Sequence, residues 1–382
     1  MKQKWLKTVV ITLAVLVILI ILIWPAAPLW TRLGLEPFCI RGSWPEIKIV
    51  ACEQKVANSP VVTPHQLTIP SGQTAIPLIM DDDGSPDGAV ALLYFLRNPL
   101  FDLKAVTISC GEAHPELFAP QILQLLAGLG RSDIPVGVGG ATPLEGSNTF
   151  PDPWRQASDI FWGIRLPDAT VSLEPVPAAE LIVESINNSS QPVMVFVSGT
   201  HTNLAEALRL DPGIVKNIRE IYIMGGSIHV PGNIKSDWPT IDNSAAEWNI
   251  WADPVAAREV FTAEISRHLV PLDATQQVVW TSSDIPAWIS TNSPEGILAG
   301  KLLQWMLDSW EPEGVYIWDL VAAVHATDPA PCPEVALPVE ILTTPGSNLG
   351  QTVLTDEPPN TDVCLDPDPE QVKALAAGVL GR

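Results

Sequence analysis

From Thr74 onward, short apolar runs alternate with stretches whose apolar residues recur every three or four positions, and this alternation limits the fold more than any other feature. The runs Ile76 to Met80, Leu103 to Ser109, Ile134 to Val138, Val193 to Val197, Ile221 to Met224 and His268 to Leu272 are short and almost continuously apolar. They read as strands buried on both faces. Between them, Ala89 to Leu96, Leu117 to Leu129, Ala178 to Ile186, Asn203 to Leu210 and Pro254 to Val260 carry helical spacing. Strands joined through helices run parallel, so the pattern predicts an α/β domain over residues 74–382, a mostly parallel sheet with flanking helices.

The first thirty residues obey a different rule. Thr8 to Trp30 contains no charged residue, and at ~1.5 Å per helical residue it is long enough to cross a ~30 Å hydrocarbon layer. Lys2, Lys4 and Lys7 precede it, which keeps the N-terminus cytoplasmic and sends the remainder across. Residues 1–30 therefore read as a single-pass membrane anchor with an extracytoplasmic domain. A cleaved signal peptide is the alternative, but this apolar stretch exceeds the usual h-region of ~7–15 residues. Residues 31–73, with several Pro and few periodic apolar positions, read as a connector with little regular structure. In an oxidising compartment Cys39 could pair with Cys52, and Cys332 with Cys364. Cys110 ends an apolar run and reads as a buried residue.

Ligand sites of open α/β sheets lie beyond the carboxyl ends of the strands. The residues at those places are Asp81 to Asp87, Gly111 to His114, Ser198 to Asn203 and Gly225 to His229, mostly polar or Gly. Asp81, Asp82, Asp83 and Asp87 would repel one another unless a cation sits between them. Carboxylate oxygens, with no zinc-type Cys/His spacing nearby, suit Mg²⁺ or Ca²⁺. The net charge of −22 turns away a polyanion, so nucleic acid is excluded as a partner. The competing reading is a solvated loop in which Asp87 caps the next helix. Two hydrolase classes use such a loop. A haloacid dehalogenase-type phosphatase opens with strand-Asp-x-Asp-Gly-Thr/Ser, which Asp81 to Ser85 fits, and Ser198 fits its second motif. The pattern fails after Ile221 to Met224, where Gly-Gly-Ser-Ile-His stands in place of paired acids.

The other class accounts for more of the chain. Asp81-Asp82-Asp83-Gly84-Ser85-Pro86-Asp87-Gly88 before a helix, Gly199-Thr200-His201-Thr202-Asn203-Leu204, Met224-Gly225-Gly226 with Gly232-Asn233, Ala246-Glu247-Trp248-Asn249-Ile250-Trp251-Ala252-Asp253-Pro254, and Trp318-Asp319 occur in this order. Together they resemble the inosine-uridine-preferring nucleoside hydrolase family. The resemblance implies calcium-dependent hydrolysis of the N-glycosidic bond of ribonucleosides. It also implies Asp83 as metal ligand and general base, Thr202 as a ligand through its carbonyl, and Asp319 as a further carboxylate ligand. Asp87 would hold the ribose 2′-hydroxyl, with Asn233, Glu247 and Asn249 on the sugar. Family members are usually homodimers or homotetramers, and the sequence leaves these and a tethered monomer open.

Two positions depart from the family pattern. Gly88 stands where the family has a second adjacent Asp, a calcium ligand, leaving Asp82, Glu112 or water to replace it; without a replacement the fold would bind nucleoside without turnover. Trp318 stands where many members have a His that protonates the leaving base. The purine-specific branch has Trp there, stacking on the base, and Gly84-Ser85 resembles the Asp-Gly-Asn of that branch. The resemblance therefore leans towards purine nucleosides. Trp154, in a loop-like stretch, is the candidate for the second stacking aromatic.

Overall fold

The computed structural model describes residues 38–41, 48–51, 74–170 and 175–382. The anchor expected at residues 1–30 and the Cys52 half of one expected bridge lie outside them. Among the described residues no helix is long and apolar enough to cross a membrane. The chain divides into Met1–Val62 and Thr63–Arg382. In the first unit, β1 (Phe38–Arg41) pairs antiparallel with β2 (Lys48–Ala51). This is regular structure inside the expected connector. Ile40, Ile49 and Val50 supply the β-branched residues that favour extended backbone.

The second unit is built on a nine-stranded sheet. Its strands in chain order are β3 (Ile76–Asp82), β4 (Phe101–Ile108), β5 (Val136–Val138), β6 (Val176–Pro177), β7 (Val193–Val197), β8 (Ile218–Met224), β9 (Arg267–Val270), β12 (Glu334–Leu337) and β15 (Thr361–Cys364). In space the order is β12-β15-β9-β8-β7-β3-β4-β5-β6, and every pairing except β12 with β15 is parallel. Two small antiparallel pairs lie outside it, β10 (Val279–Trp280) with β11 (Val315–Tyr316), and β13 (Val339–Ile341) with β14 (Thr352–Leu354). From β3 the chain steps outward through β4 to β6, then returns to the opposite side of β3 as β7 and steps away through β8 and β9. Connections diverge between β3 and β7, which opens a crevice at their carboxyl ends.

Residues alternate between two cores, as a strand period of two requires. Leu78, Met80, Val106, Met194 and Phe196 join one, while Ile79, Ala105, Val193, Val195 and Val197 join the other. The helix Pro86–Arg97 begins with a Ser85 cap whose Oγ accepts from the Gly88 amide at 2.9 Å, and Pro86 occupies its first turn. It is buried from Pro86 to Phe95, packed among the sheet and the helices Pro294–Ser309 and Trp318–Thr327. Phe95 meets Phe196 and Phe101 edge-on, with centroids 4.9 and 5.2 Å apart.

The helices expected from spacing are present as Pro86–Arg97, Pro115–Gly128, Ala178–Asn187, Thr202–Leu210 and Pro254–Thr262. Trp154 lies in a helix, Asp152–Ser158, rather than a loop, because the Pro-Asp-Pro ahead of it favours a first turn. Cys332 and Cys364 form a disulfide, and Cys110 is buried and free.

Candidate active site

The acidic run leaves β3 and turns sharply at Gly84, whose φ of +88° and 2.4 Å approach of a would-be Cβ to Ala113 Cβ exclude other residues. The turn points Asp83 into the crevice. Asp83 Oδ2 accepts from the Glu112 amide at 3.2 Å, and its main-chain oxygen accepts from the Ala113 amide at 2.8 Å. Asp87 sits in the first turn of the helix that follows. Asp319 arrives from the far end of the chain, in the first turn of Trp318–Thr327. Its amide donates to Asp87 Oδ2 at 3.2 Å, and its Oδ2 accepts from Ser85 Oγ at 3.1 Å.

These groups line a cavity of about 470 Å³ together with Asn233, Glu247 and Asn249. Glu247 caps the helix Trp248–Ala252, accepting from the Asn249 and Ile250 amides at 2.9 and 3.3 Å, and also from the Gly226 amide at 2.9 Å. Asn249 Nδ2 donates to the carbonyls of Ser198 and Met224, at 3.2 and 3.3 Å, tying the helix to the ends of β7 and β8. Asn233 is buried at the start of a short helix, Ile234–Asp237, and its Oδ1 has no hydrogen-bond partner. Such a carbonyl is an orphan acceptor in want of a ligand hydroxyl.

Two aromatic clusters complete the lining. Trp154, Trp248 and Phe150 pack on one another, Trp154 to Trp248 at 5.2 Å and Phe150 to Trp248 at 5.0 Å. Trp318 packs with Tyr316 at 5.7 Å and Trp310 at 6.2 Å. Asp81 and Asp82 of the acidic run are not among the residues that line the cavity, and neither is Thr202. Thr202 is the first residue of its helix, and its Oγ1 donates to Asp253 Oδ2 at 2.7 Å, so only its carbonyl could serve the role the resemblance implies. Asp253 also caps the next helix through the Ala256 amide.

Spacing did not single out Phe150, Gln276, Trp310 or Tyr316 as part of the cavity wall. Trp248 stood inside a quoted motif and could have been found from it. The others come from loops and strand ends that no local period links to the acidic run.

The electrostatics are those of an acidic site without a cation of its own. Burial first, then neighbouring carboxylates, hold Asp83 and Asp319 well above the usual carboxylate range. Burial and the charges of Asp87 and Asp82 do the same to Glu112. Burial likewise pushes Asp82 and Glu247 up to about 7, and raises Asp87. No Lys, Arg or His is among the described residues lining the cavity. Buried carboxylates so placed need either protons or a metal ion. An all-oxygen donor set of this kind fits a hard divalent cation.

The comparisons agree with this geometry. The family model described as inosine-uridine preferring nucleoside hydrolase matches residues 78–374. The chain belongs to this nucleoside hydrolase family. A pyrimidine-specific ribonucleoside hydrolase RihA from Shigella boydii serotype 4 is 32% identical over 309 residues, covering 77% of this chain and 94% of the relative. The RihA of Enterobacter sp. (strain 638) is 31% identical over 318 residues, covering 81% and 98%. Among solved structures, a plant nucleoside hydrolase, PpNRh1, superposes with a TM-score of 0.69 at 26% identity, covering 80% of this chain and 99% of the plant chain. A purine-preferring ribonucleoside hydrolase from Gardnerella vaginalis has the same fold, with a TM-score of 0.70 at 22% identity and the same coverage. This nucleoside hydrolase is therefore an N-ribosyl hydrolase acting on ribonucleosides, from a metal-dependent family. The phosphatase alternative falls, since the loop it shared is part of a different family's motif. Ser198, the residue offered for its second motif, has its hydroxyl committed to Asp82 Oδ1 at 2.8 Å.

Proposed function

We propose that this nucleoside hydrolase works with Ca²⁺ and prefers purine nucleosides. The observation that carries the preference is the cavity lining, which has Trp318 beside Asp319, a second aromatic group at Trp154 and, among the described residues, no His. An indole cannot supply the proton that a departing base needs. It can stack on the base and favour its protonated form, which suits a purine ring with a basic nitrogen of its own. The same geometry allows a nucleoside to lie between the acids and the aromatic clusters.

Asp83, Asp319 and the Thr202 carbonyl would hold the calcium, which would supply positive charge to acidify an attacking water. Asp83, once ionised beside that charge, takes the proton of the water as the C1′–N bond opens. Asp87 accepts from the ribose 2′-hydroxyl. Asn233 Oδ1 takes a ribose hydroxyl, and Glu247 with Asn249 fixes the sugar against the ends of β7 and β8, within reach of attack.

The test is release of free base and ribose from inosine, guanosine, cytidine and uridine, with calcium and then with chelator. Chelator-sensitive release that is fastest from inosine or guanosine supports the reading, while equal or faster release from uridine sinks the purine preference. A pyrimidine preference is the second reading, favoured by the names of the relatives at 30% identity and above. The long uncharged run at Thr8 to Trp30 further supports a single-pass tether with the domain outside the cytoplasm. Protease added to intact cells would remove the domain if that holds and spare it otherwise.

A further inference from the structure

Gly88 lies in the first turn of the helix Pro86–Arg97, beside Asp87. The space next to its Cα is filled. A Cβ on residue 88 would lie 1.9 Å from Asp82 Oδ1 and 2.7 Å from Asp82 Cγ. Neither distance is compatible with a side chain, so no residue other than Gly can stand at 88 while the Asp82 carboxylate stays where it is. Ser198 Oγ donates to Asp82 Oδ1 at 2.8 Å, and the Gly84 amide donates to Oδ2 at 2.9 Å. Both neutral donors orient the carboxylate without removing its charge. Asp82 is buried, and its charge is felt by Asp83, Glu112 and Asp319. The three atoms nearest to that would-be Cβ belong to Asp82 and Ser85.

We propose that Asp82 supplies from the end of β3 the metal-binding carboxylate that position 88 lacks, so that one acidic ligand has been exchanged between strand and helix. The inference rests on the metal-dependent reading above. It makes the two positions interdependent, because the carboxylate can be at 82 or at 88 but not at both. A hard cation counts oxygen ligands and charge rather than the element from which they come.

The test is a calcium titration of the full-length chain by calorimetry, with melting temperature as a second readout, on the wild type, Asp82→Thr, Gly88→Asp and the Asp82→Thr/Gly88→Asp double variant. Asp82→Thr should weaken calcium binding by at least about tenfold. Gly88→Asp alone should weaken it too, because two carboxylates collide. The double variant should recover to within about threefold of the wild type. Asp82→Asn, which keeps the size of the side chain and removes only its charge, guards against a folding defect and should lose affinity like Asp82→Thr. Wild-type affinity in both Asp82 single variants, or a double variant no better than Asp82→Thr, overturns the exchange alone. A wild type that binds no calcium overturns the metal reading together with it.

Discussion

Asp83 is asked to be an ion in a place that favours its neutral form. Burial and the charges of Asp82 and Glu112 all raise its pKa, so it can take a proton from water only when a cation offsets them. Asp83→Asn keeps the shape and removes the base. We expect turnover of inosine to fall by about 10²–10⁴ with circular dichroism unchanged, and near-wild-type turnover would remove Asp83 from the chemistry. The role proposed for Trp318 is on the base instead. Trp318→Ala should lower kcat/KM for inosine by about tenfold, the worth of one aromatic stack and its buried area, while changing uridine less; equal losses on both would assign Trp318 to packing. At this scale the acids were legible because their motifs place them at strand ends. Tyr316, Trp310 and Gln276 were not, because a pocket wall is assembled from loops whose approach to the acids has no sequence period.

Helix limits were legible to within a few residues for the same physical reason that they form. Pro86 and Pro254 stand in first turns, and Ser85 and Asp253 cap them. The strands at one edge were harder. β12 is partly exposed at Val335 and Ala336, and β13 and β14 have three residues each, too short for alternation to register. That edge is held by two other devices. The Cys332–Cys364 bond closes a separation of 32 residues, which by loop entropy is worth about 3–4 kcal/mol. Reduction with a dithiol should lower the melting temperature measurably, and an unchanged melt would mean that the bond holds nothing.

The second device is His268, stacked on Tyr222 at 4.4 Å, with Nδ1 2.7 Å from Glu334 and Nε2 3.5 Å from Glu220. Burial disfavours its charge, but its pairing with the two glutamates, which accept from the ring, outweighs burial and raises its pKa from 6.5 to about 9. Glu334, also buried in part, is brought from 4.5 down to about 2 by His268 and His325. The His268 contribution is whole below pH 6.5 and gone above 9; that of Glu334 is whole above 4.5 and gone below 2. The stability difference between the wild type and His268→Gln should therefore be greatest from pH 4.5 to 6.5 and fade between 6.5 and 9. A difference that grows with pH would contradict the pairing.

Across the whole molecule, sequence showed a parallel sheet but not where its order reverses, because spacing reports what each strand buries and not which neighbour it takes. That reversal between β3 and β7 is what concentrates the acids. Asp81, Asp82 and Glu247 are raised to about 7 by burial, so the metal-free protein prefers them protonated. Their contribution is complete below the ordinary carboxylate values near 4 and is lost as pH rises through 7. In chelator, stability should fall between pH 5 and 8. Calcium favours the ionised form, and at a hundred times its dissociation constant should restore about 2.7 kcal/mol at the alkaline end. Melting curves with and without calcium at both pH values check this, and equal slopes would show that the ion does not meet these acids.

The bond from the Asp319 amide to Asp87 spans 232 positions, and Trp318 arrives with it. A nascent chain therefore carries half a pocket for most of its synthesis, with acids and sugar-binding residues already made and the last carboxylate still to come. A product halted before Trp318 lacks both Trp318 and Asp319, and on the proposed reading it is expected to be inert. Hydrolysis in such a system would report that translation has run past Trp318 and Asp319.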